Sequence, residues 1–278
     1  MNALTFSAIL FAISLFAGFL GALTGLGGAI IVTPALSVLL GVDLRLAMGA
    51  SLVSVIATSS GAAAAYVREG YSNIRIGMFL EVATTLGAVL GAQLASTVPT
   101  PGLAVLFGGI LLYSAWHAFR YPQERIATGC DPIAERLRLN GEYPEGHHRI
   151  AYGVQRVKAG FALMFGAGVL SGLLGIGSGA MKVIAMDQVM GLPFKVSTTT
   201  SNFMIGVTAA ASAGIYLSHG YIAPAVAMPV MLGVLAGSML GARLLRGAAT
   251  QILRRLFALV VAILAAEMFY SAATGRLH

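Results

Sequence analysis

The chain has 278 residues, of which 58% are hydrophobic and only 10% charged, and its mean hydropathy is +0.86. Soluble domains carry about a quarter charged residues, so a water-soluble globular fold is excluded at the outset. The net charge of +7 and pI near 9.9 fit cation-rich cytoplasmic loops and not a nucleic-acid surface, because the basic residues sit between apolar blocks.

From the N-terminus, Met1 to Leu10 lacks the basic flank of a secretory leader, so Leu4 onward is expected to be a retained membrane segment. Apolar blocks then run from Thr5 to Leu40, Leu46 to Val67, Ile74 to Ser96 and Leu103 to Phe119. Helical spans need roughly 20 apolar residues, and the short alternating segments of a membrane barrel are absent. The first block is too long: about 36 residues at 1.5 Å each make about 54 Å of helix, against a hydrocarbon core of about 30 Å. It is expected to break at Thr24-Gly25-Leu26-Gly27-Gly28, where glycine permits a tight reversal. Two short spans and one re-entrant hairpin are both open at this point.

A polar segment follows from Tyr121 to about Gln155. It holds Cys130, the only cysteine, and His147 and His148, without metal-ligand spacing, and is read as solvated loop. The rest of the chain repeats the beginning. At an offset of 150 residues, without a gap, Gly18 to Leu94 shares 19 identities in 77 positions with Gly168 to Leu244, well above what this biased composition gives by chance. Matched pairs include Gly18 with Gly168, Gly25 with Gly175, Gly27 with Gly177, Ser51 with Ser201, Thr58 with Thr208, Tyr66 with Tyr216 and Gly87 with Gly237. The expected organisation is a first repeat over 1–120, a connecting loop over 121–155 and a second repeat over 156–278.

Breaking the long block changes each half from an even to an odd number of crossings. Setting aside Lys182, which lies inside a block, 14 cations then share one side and only Arg45 and Arg276 oppose them. One crossing per long block gives a poorer 10 to 6, so the positive-inside rule favours odd parity. Odd parity makes the halves inverted repeats. The expected fold is an all-α polytopic transmembrane bundle, with a cytoplasmic connecting loop and both termini outside, in a bacterial inner membrane.

A helix broken inside a membrane leaves backbone groups that protein, water or a ligand must satisfy. The two breaks, Thr24, Gly25, Gly27 and Gly28 in the first half and Gly175, Gly177, Ser178 and Gly179 in the second, are therefore candidate substrate-binding segments, because helix N-termini attract anions. The competing reading is that these glycines serve close helix packing. Lys182 follows the second break by one turn and either attracts the anion or snorkels to headgroups. Asp187 is a poor direct partner for it, about 140° further round a helix. Ser51, Ser201 and Asn202 open the next block of each half and offer further donors, though serines in membrane helices more often bond locally. Glu81 is a candidate for proton coupling, and His117 and Glu267 are weaker ones. No catalytic residue set, cofactor or metal is expected, and no nucleotide-binding Gly-Lys-Ser/Thr motif occurs.

The run GFLGALTGLGG from Gly18 to Gly28 and AMGAS from Ala47 to Ser51, echoed at Gly168 to Gly179 and Val196 to Asn202, resembles the sulfite exporter TauE/SafE family over nearly the whole chain. Members often carry a longer glycine run after the first break than Gly27-Gly28 here. The resemblance implies a duplicated, multi-span bacterial membrane protein that exports or imports sulfite, organosulfonates or related anions. The expected function is a secondary transporter for a small sulfur oxyanion, the alternatives being an anion channel or a membrane protein without transport activity. Its expected partners are the anion, the lipid bilayer and a second copy as a homodimer, and no nucleic acid.

Overall fold

A computed structural model describes residues 2–24, 28–69, 72–119, 129, 131–145, 148–244 and 250–274. The expected break at Gly25 and Gly27 lies outside the described residues. Before it runs helix α1 (Ala3–Thr24), and after Gly28 a short helix α2 (Ala29–Pro34) runs into a π-helical turn, Ala35–Leu39. From Ala29 to Leu39 the rise is about 16 Å, half the hydrocarbon thickness. The described part of the block is thus one full-length helix and one half-length helix.

Helices α3 (Leu44–Glu69), α4 (Ile74–Thr97) and α5 (Thr100–Phe119) complete the first half. The connecting segment forms α6 (Pro132–Arg136) and a hairpin of β1 (Gly141–Glu145) and β2 (His148–Tyr152). The second half comprises α7 (Val157–Leu174), α8 (Gly179–Ile184), a π-turn over Ala185–Val189, α9 (Phe194–Ser218), α10 (Pro224–Leu244) and α11 (Thr250–Thr274). From the short helices onward, every element of the second half starts 150 residues after its counterpart.

The recurring π-turn has a local cause. Pro34 lacks an N–H and would loosen a helix, but Ile184 holds the equivalent place, so proline is not the reason. Both turns end on a left-handed glycine, Gly41 (φ +62°) and Gly191 (φ +71°). Behind it, Val42 N–H reaches Leu36 O at 3.2 Å and Leu192 N–H reaches Met186 O at 3.0 Å. This is the closing bond of a glycine-terminated helix widened by one residue.

The halves pack on each other through the glycines that mark the repeat. A Cβ on Gly87 or Gly91 of α4 would collide with the carbonyls of Phe165 or Val169 on α7. One on Gly168 or Gly172 would collide with those of Thr84 or Ala88 in return. Gly18 against Val234, and Gly237 against Leu15, repeat the arrangement between α1 and α10. Small residues four apart let two membrane helices meet backbone to backbone. Register along these contacts makes α4 parallel to α7 and α1 parallel to α10.

The repeat mates α3 and α9 instead run antiparallel. Arg45 at the start of α3 lies 5.7 Å from the ring of Tyr221, just past the end of α9, while Asn73, just past α3, donates its N–H to Thr200 near the start of α9. Arg45 also donates to the carbonyls of Ala95 and Val98, capping the far end of α4 with positive charge.

Among its described residues, 131–145 and 148–155, the connecting segment carries secondary structure docked on the bundle. Asp131 caps α6 by accepting from Ile133 N–H at 2.9 Å and also accepts from Val157 N–H at 3.1 Å, tying α6 to the start of α7. Asn73 caps α4 through Ile76 N–H and donates its amide to Leu139 O and Tyr152 Oη, each at 2.9 Å. Leu139, Tyr143, Tyr152 and Val154 share a buried cluster with Ile76, Leu80, Met186 and Met190. Burial raises the Tyr152 phenol above its usual range, and the Asn73 hydrogen bond opposes that shift. His148 is exposed on β2; Cys130 and His147 lie outside the described residues.

Apolar side chains also face outward. On α4, Met78, Val82, Leu86, Leu90 and Leu94 form a stripe at intervals of four, each at least 47% exposed. Such a face suits hydrocarbon and not water. Among the described residues, α4 and α7 are long and apolar enough to cross a membrane.

Candidate functional site

The second break is buried throughout. Gly175 (φ +66°) closes α7 in the left-handed region, its N–H on Ser171 O at 2.8 Å, and Gly177 (φ +72°) and Ser178 (φ +48°) complete the reversal into α8. The last carbonyls of a helix have no partner within it. Here the buried Tyr216 hydroxyl reaches those of Gly172 and Leu173 at 3.0 and 3.1 Å. A Cβ at Gly175 would press on Met48, and one at Gly177 on Ile205 and Val55. These glycines therefore turn the chain and admit close neighbours from α3 and α9, which is the packing reading.

One turn into α8, Lys182 is 0% exposed, which rules out snorkelling to headgroups. Its Nζ donates to Thr208 Oγ1 of α9 and stands 3.8 Å from Oε2 of Glu81 on α4. The Thr208 hydroxyl in turn donates a hydrogen bond to Glu81 Oε1 at 2.6 Å. Thr84 and Thr85 hydroxyls reach the same carboxylate at 3.0 and 3.1 Å. The result is a cation, a bridging hydroxyl and an anion in one line. Glu81 is 8% exposed, and it comes from the first half while Lys182 and Thr208 come from the second. Buried ions are tolerated only when paired and hydrogen-bonded, and both conditions are met.

The other candidates separate into two groups. Ser51 Oγ donates to Ala29 O at 3.4 Å and Ser201 Oγ to Gly179 O at 3.2 Å, so the matched serines pin each half-length helix to the helix after it. Thr198 and Thr199 bond within their own helix, and Thr200 holds Asn73. Asn202 is half-buried beside them. Ser178 differs: the residue is 2% exposed and its hydroxyl has no hydrogen-bond partner among the described residues. In the first break, Gly28 is buried against Gly18 and Val234, whereas Gly25, Gly27 and the side chain of Thr24 lie outside the described residues. Glu267 is half-buried on α11, and the side chain of His117 is outside the described residues.

Sequence reasoning singled out Lys182 and Glu81 separately and missed that they meet. The available signal was that each is a charge well inside an apolar block and that the two are of opposite sign. Thr208 was visible only as a repeat identity with Thr58.

The sequence matches the sulfite exporter TauE/SafE family over residues 10–268. It is 26% identical over 270 residues to "Probable membrane transporter protein YunE" of Bacillus subtilis (strain 168), covering 94% of this chain and 97% of that one. It is 28% identical over 236 residues to "Probable membrane transporter protein YdhB" of the same organism, covering 84% and 87%. A "Probable membrane transporter protein" of Xylella fastidiosa (strain 9a5c) is 27% identical over 247 residues, covering 88% and 87%. No solved structure matches. The chain belongs to the sulfite exporter TauE/SafE family of membrane transporters.

Proposed function

We propose that the protein is a secondary transporter that moves a small sulfur-containing oxyanion, sulfite or a small organosulfonate, across the inner membrane by alternating access. The observation that carries this reading is Lys182, a fully buried cation one turn beyond a broken helix and at the junction of the two halves. An anion entering there meets the ammonium and the unpartnered hydroxyl of Ser178, within a segment built from Gly175, Gly177 and Gly179, with Ser201 and Asn202 on the adjoining helix. The burial of Lys182, Ser178 and Ser201 suits a closed state that must open to either side for exchange.

The antiparallel pairing of the repeat mates α3 and α9 supports an inverted repeat, the arrangement that lets two halves rock about a central site. Arg75, Arg156, Lys158 and Lys195 stand at the starts of α4, α7 and α9, beside the connecting segment, and Arg45 stands at the opposite end of α4. That division supports a cytoplasmic connecting segment.

The test is uptake of radiolabelled sulfite and methanesulfonate into proteoliposomes containing purified protein. The expected result is saturable uptake by the wild type and at least about a tenfold loss in Lys182→Ala, the scale of one lost charge-assisted contact. Absence of uptake for both anions would overturn the substrate class, and non-saturating flux would favour a channel.

A further inference from the structure

We infer that Glu81 and Lys182 exchange partners during transport, so that one proton taken up by Glu81 accompanies each anion taken up by Lys182. The inference rests on the transporter reading above and adds its coupling ion and stoichiometry. With Glu81 ionised, the Lys182 ammonium is neutralised within 3.8 Å and an arriving anion finds a site of no net charge, with a carboxylate already in it. When Glu81 accepts a proton, its negative charge is gone and Lys182 stands as an uncompensated cation in a buried site. Burying a lone charge is unfavourable, so the anion takes the place of the lost carboxylate charge. Protonation and anion binding therefore favour each other, and by linkage the effect is reciprocal. Thr208 lies between the two charges and can stay hydrogen-bonded to both through the change.

The surroundings leave Glu81 as the acid for this role. It faces Lys182 from α8 and the hydroxyls of Thr208 from α9 and of Thr84 and Thr85 on its own helix. Of the other charged groups on the packed elements, Lys158 and Lys195 are exposed at the starts of α7 and α9. Asp187, on the π-turn after α8, is buried and has interactions of its own.

The stoichiometry follows from the repeat. At the equivalent interface of the other half, 150 residues away, Val32 stands for Lys182 and Met231 for Glu81, while Thr58 matches Thr208. Val32 is 0% exposed and, with Met231, puts apolar side chains where the other seam has its ions. Among the described residues, Lys182 with Glu81 is the buried ion pair that joins the two halves, hence one proton per anion, and the cycle is electroneutral for a monoanion.

The test uses methanesulfonate, which stays a monoanion at the pH values employed, in proteoliposomes of the full chain. With an outside medium more acidic by one pH unit, one-to-one coupling gives about tenfold accumulation, unchanged when the membrane potential is clamped. About a hundredfold accumulation would mean two protons, and exchange without accumulation would mean none; either overturns the inference and leaves the transporter reading standing. Lack of exchange of methanesulfonate and of sulfite alike by the wild type removes both. Glu81→Gln, which imitates the protonated carboxyl, is expected to lose the tenfold accumulation driven by the pH gradient and any pH dependence of methanesulfonate exchange, its folding being read separately from a monodisperse chromatographic peak. A Glu81→Gln protein that still accumulates tenfold, or a loss of coupling confined to Asp187→Asn, assigns the proton elsewhere and refutes the proposal.

Discussion

Removing one member of the buried pair should harm the fold far more than removing both. At 3.8 Å and an effective dielectric near 20, the attraction between Lys182 and Glu81 is about 4 kcal/mol. Breaking a buried pair by deleting one partner costs about 3–5 kcal/mol, because the survivor remains desolvated and uncompensated. Lys182→Met strands a carboxylate among three threonine hydroxyls, and Glu81→Gln strands an ammonium whose hydrogen-bond partner among the described residues is Thr208. The double variant leaves no charge in the site. Replacing both partners of such a pair is commonly neutral, so the double variant should lie within about 1 kcal/mol of the wild type. At about 2 °C per kcal/mol for a chain of this size, each single variant should lower the apparent midpoint by roughly 6–10 °C. Thermal unfolding of detergent-solubilised protein, followed by loss of the monodisperse chromatographic peak at a fixed heating rate, reads this directly. If the double variant is as unstable as the two singles summed, the residues do not act on each other and the charge-pair reasoning fails.

The glycine contacts yield a contrast. Gly87→Ala pushes a methyl into the Phe165 carbonyl and should cost about 1–3 kcal/mol, whereas Gly109→Ala, with no neighbour within 4 Å, should be neutral or stabilising by up to about 1 kcal/mol; equal midpoints would refute the backbone-contact account. Asn73→Ala deletes the α4 cap and both bonds to the connecting segment, so it should cost about 1–2 kcal/mol and speed proteolysis over residues 131–155, and unchanged cleavage would count against docking there. Tyr152 gives a pH signature in the same assay. Its folded-state phenol titrates above the free value of about 10, so the folded state holds its proton where the unfolded chain has lost it. The stability it contributes is complete below about pH 10 and falls as pH rises through the folded-state value, so alkaline medium should loosen the segment in the wild type and less in Tyr152→Phe.

The membrane makes much of this fold readable from one sequence. A block of 36 residues cannot cross as one helix, and the same constraint that demands a break at Gly25 to Gly28 demands one at Gly175 to Gly179. The cation partition separates Arg45 from Arg75 and Lys195, which matches opposite ends of the bundle. The glycine identities were readable as repetition, but their purpose was not. Gly87 is needed because Phe165 of the other half comes up against it, and no local window contains that neighbour. The site was half readable for the same reason. Lys182 and Glu81 stand out as misplaced charges, yet their pairing depends on how α4 crosses α8 and α9, and searching along the helix of Lys182 reaches only Asp187. The hairpin over Gly141–Tyr152 was the least readable element, since a short, charged, two-stranded unit has little stability alone and forms here by docking Tyr143 and Tyr152 onto α4 and the π-turn.

The duplication and the charge pair answer different physical needs. Glycines that let α1 meet α10 and α4 meet α7 must be present in both halves, because each half supplies one partner to each seam and a bulky residue on either side would separate the backbones. Matched Ser51 and Ser201 likewise hold two half-length helices that are equally short of backbone partners. A buried charge obeys the opposite rule. Each one adds a desolvation cost that grows with number, while a single cation suffices to distinguish an anion from water. Repetition is therefore expected wherever residues build the bundle, and difference where they act on the cargo. If the anion binds as proposed, the positions at which the halves part company in chemistry, Lys182 against Val32 and Glu81 against Met231, mark its site better than the motifs the halves share.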